Sequence, residues 1–253
     1  MKIRCLDSIR TTGIALMIAL SAGVQAADIK VLSTNAVKSV LEELAPQFEK
    51  ATSNKLSVRF APAADLKLLI EKGEAFDVAI LTAAATDDLI KKGKLAAQTR
   101  ADIAASAAGV AYRKGAPKPD ISTGDDLKRT LLAAKSVAYV GTGATGAEVR
   151  KIFERFGIAD EMKAKTKLLS GVSAAAAVAR GEAELGFSQV SELIGIEGAE
   201  LAGPFPPGFE VRTVFPAAVG TGAREPAAGQ ALIKFLTAPA AAPVIRSKGM
   251  EPG

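Results

Sequence analysis

The stretch from Ile29 to Phe48, IKVLSTNAVKSVLEELAPQF, constrains the fold more than any other. Ile29 to Leu32 is a short apolar run of strand length. Ser33, Thr34 and Asn35 follow it. Val37, Val40, Leu41, Leu44 and Phe48 then recur at helical spacing, which gives one apolar face. Thr34 or Asn35 is expected to cap the helix. A strand that turns directly into a helix aims free backbone N–H groups, and the positive end of the helix dipole, above the strand tip. Such a tip suits an anion.

The unit recurs. Leu56–Phe60 is a strand, APAAD a turn with Asp65 as the expected cap, and Leu66, Leu69 and Ile70 a short apolar face ending at Gly73. Asp77–Leu81 is a strand, TAAA a turn, and a helix is expected from Thr86 to Lys92 with acids first and lysines last. VAYV (137–140) leads through the Gly-rich turn 141–146. Thr145 and Glu148 there form an expected capping box ahead of Val149, Ile152, Phe153 and Phe156. A fifth unit reads as helix Val172–Arg180, strand Glu184–Phe187, then Ser188-Gln189 and Val190–Ile194. Helices are further expected over Asp125–Ala134, Ala227–Leu236 and Pro239–Lys248, and LAGPFPPGFE reads as irregular loop. Five strand–turn–helix units give an α/β protein of mostly parallel sheets with flanking helices. The extended runs Ala107–Tyr112 and Val211–Val219 read as two passages between two lobes, and ligands of such sheets bind beyond the carboxyl ends of the strands.

Residues 1–26 read as a secretory signal peptide: Lys2, Arg4 and Arg10 precede a short apolar core, and Val24-Gln25-Ala26 offers a cleavage site after Ala26. Cys5 lies before that core, so it is not placed for lipidation, and the mature chain has no cysteine. No later segment reads as long and apolar enough to span a membrane. The whole chain carries +5 and the part after residue 26 carries +3, with both signs interleaved. That is a mixed solvated surface rather than a nucleic-acid face.

Catalytic patterns are scarce. The sequence has no His, and no Asp/Glu cluster has metal-ligand spacing. This removes Ser–His and Cys–His systems and ordinary zinc sites. The enzyme class left open is an exported hydrolase without His, built on Ser–Lys or a carboxylate pair. The turn GTGATG lacks both the acid of a dinucleotide site and the Lys-Ser/Thr of a P-loop. With no Trp and two Tyr, stacking platforms for sugars are lacking. A regulatory effector module of similar fold would need a DNA-binding segment where the signal peptide stands.

The opening unit, EKGEAFDVAIL, ARGEAELGFSQVSEL and the ending IKFLTAPAAAPVIRSKGMEP together resemble the periplasmic solute-binding proteins of ABC transporters, and the molybdate-binding branch most. The resemblance implies a two-lobe type II periplasmic-binding fold with a two-strand hinge. Its lobes would be 27–106 with 215–253, and 107–214. It implies a periplasmic monomer, without cofactor or catalysis, that captures a small anion and delivers it to a membrane ABC permease. Relatives of that branch hold the oxyanion with backbone N–H groups, two serines and a tyrosine. Matched by motif, these side chains fall at Ala36, within Pro62-Ala63-Ala64, and near Gln189, so all three are replaced. The ligand-binding residues implied are Ser33, Thr34, Asn35, Ala63, Ala64, Thr82, Thr142, Thr145, Gly146, Ser188 and Gln189. Such a mixed set of donors and acceptors suits a small organic carboxylate as the alternative to a molybdate-like oxyanion. Arg59 and Arg113 are the cations expected nearest the cleft.

Overall fold

The computed structural model describes residues 26–170 and 172–253. The signal-peptide reading therefore lies outside the described residues, apart from Ala26. Strand β1 (Asp28–Thr34) runs through a 3-10 turn (Asn35–Val37) into α1 (Lys38–Thr52), then β2 (Lys55–Ala61), α2 (Ala63–Glu71), β3 (Val78–Ile80) and α3 (Ala83–Lys91). The long β4 (Ala101–Arg113) crosses to α4 (Gly124–Ala133), β5 (Val137–Val140), α5 (Ala144–Arg155), α6 (Ala159–Lys165), β6 (Thr166–Leu169) and α7 (Ala174–Ala179). Then come β7 (Leu185–Gln189), α8 (Val190–Leu193), β8 (Ala199–Pro204), β9 (Arg212–Val219), α9 (Pro226–Leu236), α10 (Ala242–Ser247) and β10 (Glu251–Pro252).

The strands lie in the order β2-β1-β3-β9-β4-β7-β5-β6, with β8 and β10 paired to β4. Pairing is parallel among β2, β1 and β3, and among β6, β5 and β7. It is antiparallel wherever β4 and β9 take part. Those two strands make the crossing. Residues 101–107 of β4 pair with β9, and from Ala108 the same strand pairs with β7 and β8.

Two main cores result, one on each side of that change of partner. In the first, α1 buries Val40, Leu41, Leu44 and Phe48 against Val31, Ile80, Phe215 and α9. Phe48 meets Phe235 edge to face at 5.5 Å. In the second, Leu127, Val149, Phe153 and Met162 pack on Val137, Tyr139 and Phe187. Smaller clusters under α2 and α3, and under α7 and α8, cover the opposite faces. Helices on both faces of the strands are what near-continuous apolar strands such as VAYV require. Among the described residues no single helix is long and apolar enough to cross a membrane.

Several local expectations are corrected. The second helix starts at Ala63 with Pro62 before it, so Asp65 sits in the first turn instead of capping. The third starts at Ala83, and Thr82 is its cap, its hydroxyl accepting from the Ala85 N–H at 3.4 Å; the TAAA stretch is helix, not turn. Thr145 and Glu148 form no capping box, because α5 begins at Ala144 after Gly143, and Glu148 pairs with Lys151 instead. Thr34 occupies the cap position of the opening unit without a side-chain capping bond. The helix expected over 172–180 spans Ala174–Ala179 and is capped by Ser173. LAGPFPPGFE is not all loop, since β8 runs to Pro204.

Candidate functional site

The carboxyl ends of β1, β2, β3, β5 and β7 point at one region, and each is followed directly by a helical turn. Two neighbouring spaces lie there, sharing Gly143 and Ala144 as wall. The outer is an open cleft of 710 Å³ between the starts of α2, α3 and α5 on its flanks and residues 210–214 entering β9. The inner is a small pocket of 20 Å³, bounded by Thr34, Asn35, Pro62, Thr145, Ser188 and Glu192, with Val140 and Phe187 behind. At that size it holds about one water molecule.

The first N–H groups of a helix have no partner within it. Those of Ala63 and Ala64, of Ala83 and Ala84, and of Ala144 and Thr145 stand at the walls of these spaces. Alanine and glycine there let an anion approach the backbone closely, and the dipoles of α2, α3 and α5 favour negative charge. No Lys or Arg lines the inner pocket. The cations of the outer cleft are Lys67 and Arg212. Lys67 binds Asp88 at 2.8 Å and Glu71 at 3.2 Å, and Arg212 binds Glu251 at 2.9 Å. Arg59 and Arg113 are not cleft cations, contrary to expectation: neither lines either space, and Arg113 borders a separate hollow beside Tyr112 and Gly181.

Of the residues implied from sequence, Thr34, Asn35, Thr145 and Ser188 meet at the inner pocket, and Ala63, Ala64, Thr82 and Thr142 at the outer cleft. Ser33, Gly146 and Gln189 line neither. Ser33 is fully buried and its hydroxyl donates to the Thr34 carbonyl at 3.2 Å. Gly146 packs so closely that a Cβ there would lie 2.7 Å from the Val140 carbonyl oxygen. Gln189 is fully buried behind the pocket; its amide Nε2 donates to Thr145 Oγ1 at 2.9 Å and to Thr213 Oγ1 at 3.2 Å. One side chain thus ties β7 to the start of α5 and to the crossing strand β9. Its Oε1 is buried with no hydrogen-bond partner.

Sequence reading missed Glu192. It stands one turn after Ser188, whose hydroxyl donates to Glu192 Oε2 at 2.6 Å, and it is the one titratable group on the inner pocket wall. Burial pushes its carboxyl above the ordinary range, against the opposing hydrogen bonds from Ser188 and the Gln189 N–H. The only signal was a serine and a glutamate four residues apart where a strand turns into a helix.

Twin α/β lobes are joined by two crossing strands, and strand tips and helix starts from both face one cleft. The chain belongs to the bacterial extracellular solute-binding proteins, whose family model matches residues 29–251. It is 34% identical to an aconitate isomerase of Pseudomonas sp over 229 residues, 88% of this chain and 87% of that protein. It is 30% identical to the molybdate-binding protein ModA of Azotobacter vinelandii over 249 residues, 92% and 96% of the two chains. In fold it is similar to a periplasmic molybdate-binding protein of Azotobacter vinelandii, with TM-score 0.76, 19% identity and coverage of 89% and 99%. The sulfate-binding protein SubI from Mycobacterium tuberculosis H37Rv gives TM-score 0.72 at 18% identity, with coverage of 89% and 87%.

Proposed function

We propose that this protein captures a small organic carboxylate between its lobes in the periplasm and, as a monomer, delivers it to an ABC permease in the membrane. The lobes are taken as 27–106 with 215–253, and 107–214; the change of strand partners near Ala108 supports that division. The observation that carries the ligand class is the inner pocket: helix starts and neutral donors surround it, no cation lines it, and one carboxyl of raised pKa faces inward. The ligand lies in the outer cleft with one carboxylate end at the mouth of the inner pocket, where Glu192, when protonated, donates a hydrogen bond to it, and Thr34, Asn35 and Thr145 supply further donors. A tetrahedral metal oxyanion meets fewer side-chain donors here, since alanine and proline stand at Ala36 and Pro62. The 34% identity to an enzyme named for a carboxylate supports the same class. The test is calorimetry of the purified chain against small di- and tricarboxylates, molybdate, tungstate and sulfate. Saturable binding of a carboxylate is expected. Binding of a metal oxyanion alone would replace this reading with the oxyanion one.

A second reading, catalysis rather than capture alone, is favoured by the same relative together with Glu192, a half-buried carboxyl on the inner pocket wall. Its test is turnover of bound ligand.

A further inference from the structure

We infer that the protein captures its anion together with a proton, which Glu192 takes up from solvent at the mouth of the inner pocket. This rests on the capture reading above and goes beyond it by naming a coupling, the group that carries it and its effect on selectivity.

The inner pocket is a seam between the two halves of the protein. Thr34, Asn35 and Pro62 reach it from β1 and from the turn before α2, and Thr145, Ser188 and Glu192 reach it from α5, β7 and α8. The short helix α8 packs directly on the 3-10 turn Asn35–Val37. Beside Glu192 there is room for about one water molecule. An anion seated in the outer cleft, with one end at that mouth, therefore lies about one water's width from this carboxyl.

Charge balance decides what happens there. Among the described residues no cation lines the pocket. The helix α8 also packs on β4, β7, β8 and α7, and no charged side chain from them acts on Glu192. Their charged groups are engaged elsewhere: Tyr112 of β4 holds Glu200 of β8, and Arg180 at the end of α7 holds Glu182. The outer cleft sets Lys67 and Arg212 against Asp88, Glu148 and Glu210. Both of those cations already have carboxylate partners, Lys67 in Asp88 and Glu71, and Arg212 in Glu251. A helix start offers an anion only about half a charge. An anion beside an ionised Glu192 would thus leave two like charges in a poorly solvated seam, and protonation of the carboxyl removes that repulsion. Burial already pushes the carboxyl upward, against the hydrogen bonds from Ser188 and the Gln189 N–H, and the charge of the ligand pushes it further.

The coupling shapes selectivity. Protonated Glu192 has a donor to offer, so it favours a ligand oxygen that accepts. No bond of the ligand changes; the proton comes from water and returns to it on release. One proton taken up on binding makes affinity fall about tenfold per pH unit between the free and the ligand-bound pKa of Glu192, and leaves it flat on either side.

The test is calorimetry of the purified protein with succinate, tricarballylate, sulfate and molybdate, from about pH 6 to about pH 8.5, in buffers of different protonation heat. For each ligand that binds, proton uptake approaching about one per ligand is expected, beyond what the ligand itself contributes, with affinity falling as pH rises. Glu192→Gln keeps a neutral donor at every pH, so it should lose both effects and bind about tenfold tighter than wild type at the upper end. Should that variant lose native circular dichroism, Ser188→Ala takes its place. It removes a hydrogen bond that favours the charged carboxylate, so the pH window should move upward, and an unmoved window overturns the inference. A pH slope that Glu192→Gln leaves intact overturns it too, as does binding that requires an added metal cation in place of the proton. If only an oxyanion binds, the carboxylate reading falls, and the proton count on that oxyanion still decides the inference. If none of the four binds, both fall.

Discussion

Gln189 tests whether a residue behind the pocket wall acts on the ligand or on the fold. The substitution Gln189→Leu keeps most of the side-chain volume and removes the amide. Two hydrogen bonds, at 2.9 and 3.2 Å, are lost. At about 0.5–1.5 kcal/mol net each, that is about 1–3 kcal/mol. The Oε1 atom, buried without a partner, disappears too, and relief of its desolvation offsets part of the loss. The two threonine hydroxyls can rotate to other acceptors, so they do not each incur a full penalty. The balance is a loss of about 1–2 kcal/mol, and at about 2–4 °C per kcal/mol for a chain of this size Tm falls by about 2–8 °C. Ligand affinity should change less than about fivefold, because Gln189 does not line the pocket. Thermal unfolding and calorimetry on the same samples decide it. A tenfold loss of affinity with Tm unchanged would refute the bracing role and return Gln189 to the ligand.

Asp77 is buried and accepts from three backbone N–H groups, those of Lys30 at 2.8 Å, Arg224 at 2.7 Å and Glu225 at 3.0 Å. Asp77→Ala strands all three, and at about 1–3 kcal/mol for each unpaired group should cost at least about 3 kcal/mol; a Tm within 2 °C of wild type would contradict this. Gly186 lets β7 press on α7, and a Cβ there would lie 2.8 Å from the Ala174 carbonyl oxygen. Gly186→Ala should therefore lower stability by about 1–3 kcal/mol through overpacking, read as a shift in urea midpoint, and a neutral result would show that α7 gives way freely. The exposed cluster Lys67, Glu71, Asp88 and Lys92 ties α2 to α3. Hydrogen bonds from Lys67 and then Lys92 hold the Asp88 carboxyl down at about 2. A carboxyl depressed in the folded state contributes stability above its unfolded pKa and loses that contribution as pH falls through the folded value. The stability gap between wild type and Asp88→Asn should thus shrink from pH 5 toward pH 2, and also shrink with salt; a gap independent of pH would exclude the pairing.

The opening unit was legible because both of its periods are strong: an apolar strand, then five apolar residues at helical spacing that all become buried. The strand β6 was not legible. TKLL is half exposed along its length and shows no clean alternation. The strand β8 ends in Gly-Pro, which reads as loop, and it survives because it lies at an edge where proline's missing N–H is tolerated. The site divides in the same way. Strand tips followed by small polar residues announced Thr34, Asn35, Thr82, Thr145 and Ser188. Glu192 carried no motif, and its meaning comes only from the pocket it faces. Gln189 stood out as a long amide after a buried strand, but its partners lie 44 and 24 residues away, at Thr145 and Thr213. Contacts of that range are set by tertiary packing, and no periodicity encodes them. The cations went astray for a similar reason: which of them reach the cleft depends on the crossing that brings Arg212 there.

The most direct measurement is a competition titration between molybdate and a small tricarboxylate on the purified chain, followed by calorimetry. Thr34, Asn35, Thr145 and Glu192 around a pocket without cations should give saturable one-to-one binding of the carboxylate. Molybdate, lacking side-chain donors at Ala36 and in the Pro62–Ala64 turn, loses about 1–3 kcal/mol at about 0.5–1.5 kcal/mol per missing hydrogen bond, and should bind about 5- to 150-fold more weakly. Submicromolar molybdate binding that survives Thr145→Ala, with no heat from any carboxylate, would contradict the capture of an organic anion.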